Sequence, residues 1–243
     1  MTEQAAAPAA AEREFADGTK GGAEAGIATG NRASIRALAD AIRELSATLV
    51  RFDADEDSIA EATETVTAVT ACLRGTPREP GASTRFDRAE TAGKAFSAAH
   101  GIGNPLAPPL SYRWEAEEVV AECRLGPQYE GPKAHAHGGV SALLLDDVLA
   151  RIPRLKGTPR VTRSLEVLYR RPLPLDEPLV IRAGAVEPAP GQRESSVRVW
   201  GTIATAADPE RVLVESHAVF VLLRDDQILG VNPYWKPGDR WQD

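Results

Sequence analysis

The run from Gly138 to Ile152 constrains the fold more than any other part of the sequence. Its residues, GGVSALLLDDVLARI, are apolar on nearly every side when the run is drawn as a helix. A helix without a polar face is buried on most sides, so this run predicts a central helix enclosed by the rest of its domain. Pro153 predicts where the helix ends. With a rise of about 1.5 Å per residue, the helix would be roughly 20 Å long.

The segments on either side of this helix have the patterns of β-strands. Apolar-rich stretches separated by turn residues predict two strands before the helix and four after it. Their expected bounds are 110–115, 118–125, 160–170, 178–187, 195–205 and 211–223. Short connections favour antiparallel pairing, and one long helix against such a sheet is an α+β layer. In the third strand the odd-numbered positions are mostly apolar, which predicts that Thr162 faces the other way.

The N-terminal third is organised differently. Residues 1–30 are rich in Ala, Gly and charge without periodicity, which predicts a disordered tail. In residues 31–75, apolar residues recur every three or four positions on both sides of a polar break, which predicts two antiparallel helices, a helical hairpin. A Pro- and Gly-rich connector covers 76–109, and its length predicts a short helix or a functional segment within it. The main domain is then expected to span 110–243.

Composition excludes several classes of protein. The net charge is -7 and Lys and Arg do not cluster, so no nucleic-acid partner is expected. The two cysteines are far apart, which argues against a disulfide framework or a zinc site. The sequence begins without a basic and then apolar leader, and no apolar run is long enough to cross a membrane. We therefore expect a cytoplasmic protein with no membrane span.

Two adjacent aspartates interrupt the apolar helix. Burying an ionised carboxylate without partners costs several kcal/mol, so Asp146 and Asp147 must be paired, hydrated or functional. A helical wheel places Asp147 between Val140 and Leu143, and Asp146 projects roughly 100° away from it. Periodicity alone leaves open which of the two faces a cavity. The structural alternative is that one or both reach solvent or accept hydrogen bonds from the sheet.

The spacing around these aspartates resembles that of the hotdog-fold thioesterases. His-Gly-Gly at 137–139, with Asp146 nine residues after the histidine, is similar to the phenylacetic-acid-degradation (PaaI) type and to the thioesterase-superfamily-member-4 type. A following strand with Thr162, ten residues before Pro172 in a Tyr-basic-basic-Pro turn, is also similar. The resemblance covers about 104–224. It implies a long helix wrapped by a curved antiparallel sheet, in a homodimer or homotetramer with active sites at the dimer interface.

The resemblance also implies an activity, the hydrolysis of acyl-coenzyme A in lipid metabolism, with no cofactor and no metal. Asp146 would be the general base or the nucleophile, and the sequence leaves both open. The N–H of Gly138 would stabilise the oxyanion at the helix start. Thr162 would hold the attacking water, and His137 would position the thioester or its loop. Asp147 is expected to be structural or partly solvated.

Four further residues are expected to contact the substrate. Gly139 lets a ligand approach the backbone closely because it has no Cβ atom. Arg170 and Arg171, at the turn after the third strand, would meet the phosphates of coenzyme A. Asn104 would provide a polar contact from the segment before the motif. The structural alternatives are a plain turn at the helix start for the glycines and a solvated turn for the arginines.

Three other functions remain open at this stage. The first is a non-catalytic hotdog module that binds acyl-coenzyme A and has a regulatory role. The second is a hotdog hydratase or dehydratase, which needs an Asp–His pair on a loop spacing that the sequence does not display. The third is a structural assembly protein in which the helical hairpin forms the contacts. The length and head group of the acyl chain are not encoded in any motif.

Overall fold

A computed structural model of the chain describes residues 31–79, 82–87, 94–154, 160–187 and 196–222. The elements in chain order are α1 (Arg32–Arg51), α2 (Glu56–Leu73), β1 (Ser111–Glu115), β2 (Glu118–Arg124), a 3₁₀ turn (Pro127–Tyr129), α3 (Gly138–Leu149), α4 (Arg151–Arg154), β3 (Arg160–Tyr169), β4 (Pro178–Ala185), β5 (Ser196–Thr205) and β6 (Val214–Leu222). The predicted order of two strands, a helix and four strands is confirmed. The predicted tail, 1–30, lies outside the described residues.

The six strands form one antiparallel sheet in the order β1-β2-β4-β5-β6-β3. Helix α3 contacts five of them, β2 to β6, because the sheet curves around it. This is the α+β hotdog architecture that the sequence predicts. The order leaves β1 and β3 as the two edges of the sheet, and β3 is the strand that follows the helices.

The core lies between α3 and the concave face of the sheet. One side of α3 is wholly buried; its members are Leu144, Leu145, Val148 and Leu149. The apolar run predicts burial on most sides, whereas Leu143 on the other side is 37% exposed. Burying each leucine side chain fully stabilises the folded state by about 1.5–3 kcal/mol relative to leaving it exposed. Gly201 on β5 allows the close approach, because a Cβ atom there would stand 2.4 Å from Leu149 Cδ1. The helix is therefore held against the sheet along its length.

The predicted end of the central helix is wrong by a few residues. Helix α3 ends at Leu149, and Pro153 lies inside the short helix α4. Proline has no N–H to donate to the carbonyl four residues earlier, and its ring crowds that carbonyl. The carbonyl four residues before Pro153 belongs to Leu149, so the interruption falls where the proline requires it.

A β-bulge in β3 changes which side chains face the helix. Thr162 is opposite Phe220 and Leu165 is opposite Ala218, so three residues of β3 span what two residues span on β6. Directly opposed residues point to the same face. Phe220 and Ala218 are both buried under α3, and Thr162 therefore shares a face with Leu165. The prediction from simple alternation, which put Thr162 on the other face, is wrong because of this bulge.

The two predicted N-terminal helices are present, and they have different surroundings. Asn31 caps α1 by accepting hydrogen bonds from the N–H groups of Ala33 and Ser34, and Ala39 of α1 is buried. Arg43 ties α1 to the connector by donating to the Asn104 carbonyl. Every residue of α2 is exposed, so α2 does not pack against α1 as in a closed hairpin.

The described parts of the connector, 82–87 and 94–109, contain turns and no regular helix. The expected short helix is therefore not found there, although one residue of this segment, His100, reaches the central helix. None of the described helices is long and apolar enough to span a membrane.

Candidate active site

Asp146 and Thr162 meet at the β3 edge of the sheet. The Thr162 hydroxyl donates a hydrogen bond of 2.8 Å to Asp146 Oδ1. Thr162 is exposed and Asp146 is half-buried, because the pair lies where the sheet ends beside α3. The bulge next to Thr162 turns its side chain towards the helix; bulges often re-aim side chains in this way beside active sites. The structure thus brings together two of the predicted site residues at a place that a ligand can reach.

Asp147 projects to the opposite side of α3 and is enclosed. Its Oδ1 atom is 2.5 Å from His100 Nδ1, and its Oδ2 atom accepts from the Tyr112 hydroxyl at 2.5 Å and from Arg151 at 3.2 Å. The Arg151 guanidinium also stacks on the Tyr112 ring, 3.5 Å from its centroid. Only 9% of the Asp147 side chain is exposed. This carboxylate therefore joins the connector, β1 and α4 to the central helix.

The electrostatics of Asp147 fit a structural role. Burial opposes its ionisation, but the hydrogen bond from His100 and the charge of Arg151 outweigh burial and hold the pKa of Asp147 well below its usual value. Burial and the neighbouring Asp147 charge raise the pKa of Tyr112, which keeps its hydroxyl protonated as a donor. Asp147 is thus ionised and fully engaged within the protein.

At the start of α3, one backbone N–H group is hydrogen-bonded and another has no acceptor among the described residues. His137 is the N-cap, and its Nδ1 atom accepts from the Gly139 N–H at 3.0 Å. In a neutral ring this places the proton on Nε2. None of the described residues accepts a hydrogen bond from the Gly138 N–H. The first N–H groups of a helix have no partner within it, so Gly138 offers the donor that an anion would find here.

Tyr169, at the end of β3, holds this helix start in place. Its hydroxyl donates to the Gly138 carbonyl at 2.9 Å, and a Cβ atom on residue 138 would stand 3.2 Å from its ring. Tyr169 is the first residue of the Tyr-basic-basic-Pro turn, and no role was predicted for it. The motif itself was the available signal, because the tyrosine precedes the two arginines directly.

Comparison with solved structures supports the predicted fold and the resemblance. A crystal structure of a thioesterase superfamily protein matches 77% of this chain and 94% of its own, with 29% sequence identity and a TM-score of 0.65. The chain has the fold of the hotdog thioesterase superfamily and is similar in sequence to this member of it. Residues 110–243 are little more than half of the chain. A match over 77% of the chain therefore also includes residues before position 110. The predicted resemblance is confirmed at this level.

Other matches are more distant. The E. coli PaaI protein of the phenylacetic acid degradation operon is 14% identical over 47% of this chain and 80% of its own, with a TM-score of 0.42. A Streptococcus mutans protein solved with bound acetyl CoA is 16% identical over 47% of this chain and 88% of its own, also with a TM-score of 0.42. At these scores neither adds to the assignment. No protein-family model matches the sequence, and no match was found among curated proteins.

The other predicted contact residues lie away from Asp146. Arg170 donates through Nε and one terminal nitrogen to Glu215, and Arg171 donates to the Val212 carbonyl. Both follow Tyr169 directly and so belong to the helix-start end of the site. The Asn104 amide donates to the Phe96 carbonyl and accepts from the Leu106 N–H, which orders the connector turn.

The described residues contain no group of three His, Cys, Asp or Glu side chains placed to bind a metal ion. They do contain one Asp–His pair that the sequence spacing did not reveal, Asp147 with His100, which are 47 residues apart. The His100 side chain is 18% exposed, and Tyr112 and Arg151 cover the other carboxylate oxygen. This pair is closed off by protein groups, unlike Asp146 with Thr162.

Proposed function

We propose that this protein is an acyl-coenzyme A thioesterase that hydrolyses acyl-coenzyme A to a free acid and coenzyme A. One observation above all supports this: within a thioesterase superfamily fold, Thr162 donates to Asp146 at an open edge of the sheet. An ionisable carboxylate in a mostly apolar helix, accessible and oriented by a hydroxyl, is suited to acid–base or nucleophilic chemistry. Asp147 has no such access.

The reaction has two routes through Asp146. As a general base, its carboxylate accepts a proton from water while the water oxygen adds to the thioester carbonyl carbon. As a nucleophile, it attacks that carbon itself, and water then hydrolyses the anhydride that forms. In both routes the C–S bond breaks and the sulfur leaves as coenzyme A thiol once it is protonated. The Thr162 hydroxyl orients the carboxylate in either case.

The Gly138 N–H is proposed to stabilise the negative charge that develops on the carbonyl oxygen. It is the donor at the helix start that no described residue uses, whereas the Gly139 N–H is taken by His137. The positive end of the helix dipole adds to its effect. His137 and Tyr169 are positioning residues in this scheme, because they fix the backbone on which the donor lies.

The separation of Gly138 and Asp146 along α3 supports a site shared by two protomers. Gly138 and Asp146 are eight residues apart on one helix, which separates them by about 12 Å. An oxyanion donor must lie about 3 Å from the oxygen it stabilises, so the two cannot serve one carbonyl group within a chain. Among the described strands, β3 is an edge of the sheet beside Thr162. We infer a homodimer in which Asp146 faces Gly138 of the partner subunit.

The coenzyme A end of the substrate is proposed to lie near Arg170 and Arg171. These residues flank the helix start, and Arg170 forms an exposed ion pair with Glu215 at 3.0 Å. Exposed ion pairs contribute roughly 0–1 kcal/mol to stability, so a phosphate can replace the Glu215 carboxylate beside Arg170 at a small cost in free energy. Gly139 is exposed at the same end and leaves the backbone accessible.

The test is release of coenzyme A, followed with a thiol reagent over short, long and aromatic acyl-coenzyme A substrates. Wild type is expected to turn over at least one class, and Asp146→Ala to lose that turnover while retaining its fold by circular dichroism. Binding of acyl-coenzyme A without turnover of any chain would favour the non-catalytic module. Hydration of an enoyl substrate would favour a hydratase, which the buried state of Asp147 and His100 argues against.

A further inference from the structure

Helix α2 has an apolar stripe that the described part of its own chain leaves uncovered. The stripe repeats at alternating steps of three and four residues, the spacing of a coiled-coil seam. Its members are Ile59, Ala62, Val66, Val69 and Leu73. Its four larger side chains are exposed: Ile59 by 42%, Val66 by 42%, Val69 by 47% and Leu73 by 59%. Nothing in the proposed thioesterase chemistry uses this surface.

This helix lacks the usual source of helix stability. Helices of this length are marginal in water, and most of their stability in proteins comes from packing an apolar face. Seven of the 18 residues of α2 are β-branched, which lowers its intrinsic helix propensity further. Asp55 caps its start, but no residue of α2 is buried by the described chain. The described part of the chain therefore does not supply the packing that a helix of this kind needs.

The side chains that flank the stripe favour a second copy of the same helix. All of them are uncharged, so two identical stripes meet without repulsion along the seam; they are Ser58, Thr63, Thr65, Thr70 and Cys72. A different partner would not need a stripe that matches itself in this way.

The distribution of charged residues along α2 favours antiparallel pairing of the two helices. The four acidic residues of α2 lie in its first half, no charged residue occurs from 65 to 73, and Arg74 follows directly. Antiparallel pairing places each Arg74 beside the acidic half of the other helix. Parallel pairing would place the two acidic halves side by side, which is unfavourable. Antiparallel pairing also gives the two-fold symmetry usual in homodimers.

We propose that α2 packs antiparallel against α2 of a second copy of this chain through the stripe from Ile59 to Leu73. This interface is separate from the open β3 edge. It gives the N-terminal helices a role in assembly whatever the reaction carried out in the hotdog domain.

The native cysteines allow a direct distance measurement. Cys72 is exposed, whereas Cys123 is buried and burial raises the pKa of its thiol to about 12, so a thiol-specific spin label selects Cys72 at neutral pH. Cys72 lies six residues from Val66, the middle of the stripe. In an antiparallel pair, two labels would be about 20 Å apart, which pulsed electron paramagnetic resonance on the full-length protein resolves.

Two variants make the measurement decisive. Val69→Glu places a carboxylate in the seam, and Ala71→Glu places the same group on the opposite side of the same turn. The distance near 20 Å is expected in wild type and in Ala71→Glu, and it should vanish in Val69→Glu together with the hydrogen-exchange protection of α2 amides. The absence of this distance in wild type, or its persistence in Val69→Glu, would overturn the proposal. A dimer held by another surface alone gives a distance that both variants leave unchanged.

Discussion

Asp146 and Asp147 are neighbours on one helix, yet the two sides of α3 on which they lie are built differently. On the connector side, Asp147 is bound by His100, Tyr112 and Arg151 and is closed to solvent. On the β3 side, Asp146 accepts from a threonine at an open sheet edge. The difference shows how a turn of about 100° along a helix separates a carboxylate that holds the fold together from one that can meet a substrate.

The largest expected effect distinguishes these two carboxylates by activity. Asp146→Asn should lower kcat for acyl-coenzyme A hydrolysis by about 100- to 10,000-fold, because it removes the base or nucleophile and keeps the side-chain shape. The matched variant Asp147→Asn should retain kcat within about tenfold under conditions where it is folded. Steady-state kinetics on purified protein checks both. Equal losses in the two variants would mean that both carboxylates take part in the reaction.

The next effect concerns the helix start that faces Asp146 across the proposed dimer. Gly138→Pro deletes the N–H, and proline is well tolerated at the first position of a helix. It should lower kcat by about 100- to 1,000-fold, the usual loss for one oxyanion donor. Gly138→Ala is the control, since it adds the same contact with Tyr169 but keeps the N–H. Similar losses in both variants would assign the effect to crowding and not to the donor.

On the connector side, the expected effect is on stability. Asp147→Asn leaves Arg151 and His100 without their shared carboxylate, and removing one partner of a buried ion pair costs about 3 kcal/mol of unfolding free energy. Asp146→Asn, at a half-buried site, should cost less than about 1 kcal/mol. Urea unfolding of both variants measures the difference. A larger loss at residue 146 would reverse the structural assignment.

The pH dependence of this effect has a definite sign. The pKa of Asp147 is held below its usual value of 3.8, so its contribution to stability is present above that pH and is lost as the pH falls through the lowered value. The gap in unfolding free energy between wild type and Asp147→Asn should therefore be largest near neutral pH and should narrow below about pH 4. A gap that widens in acid would contradict an ionised Asp147.

The smallest effect tests the hydroxyl beside Asp146. Thr162→Val keeps the shape of the side chain and removes the hydrogen bond, and one such bond of about 1.4 kcal/mol corresponds to about tenfold in kcat. Thr162→Ser keeps the hydroxyl and should stay within about threefold of wild type. Wild-type kcat in Thr162→Val would show that the hydroxyl has no part in orienting the carboxylate.

Local patterns were enough to predict an antiparallel sheet with one central helix, and the hotdog fold was predicted from the resemblance to a family. The pattern of apolar residues predicted all six strands and the central helix. Burial on one face produces a periodic pattern in the sequence, and burial on all faces produces a continuous apolar run. The bulge in β3 could not be predicted from this pattern. One extra residue in a strand is recognised only when the pairing with the neighbouring strand is known. Helix α3 ends at Leu149 because Pro153 cannot donate a hydrogen bond to the carbonyl four residues before it. The predicted helix end was at Pro153 itself.

The candidate site was predictable only in part, for a similar reason. Spacing placed Asp146, Thr162 and Gly138 in their elements, because those relations are short or follow one strand. The partners of Asp147 were not visible, since His100 and Tyr112 are 47 and 35 residues away and no local pattern links them to it. Exposure of α2 was also not predictable, because the same periodicity fits a helix that packs on its own chain and one that packs on another.

The most direct test of the central claim, that one active site uses Asp146 of one protomer and Gly138 of its partner, is subunit complementation. Asp146→Ala and Gly138→Pro are unfolded together, refolded as a mixture and assayed for coenzyme A release against each variant alone. If the site is shared, half of the dimers are mixed and each carries one intact site, which restores about a quarter of wild-type activity. If both residues act within one chain, the mixture stays as inactive as its components, and that result would contradict the account.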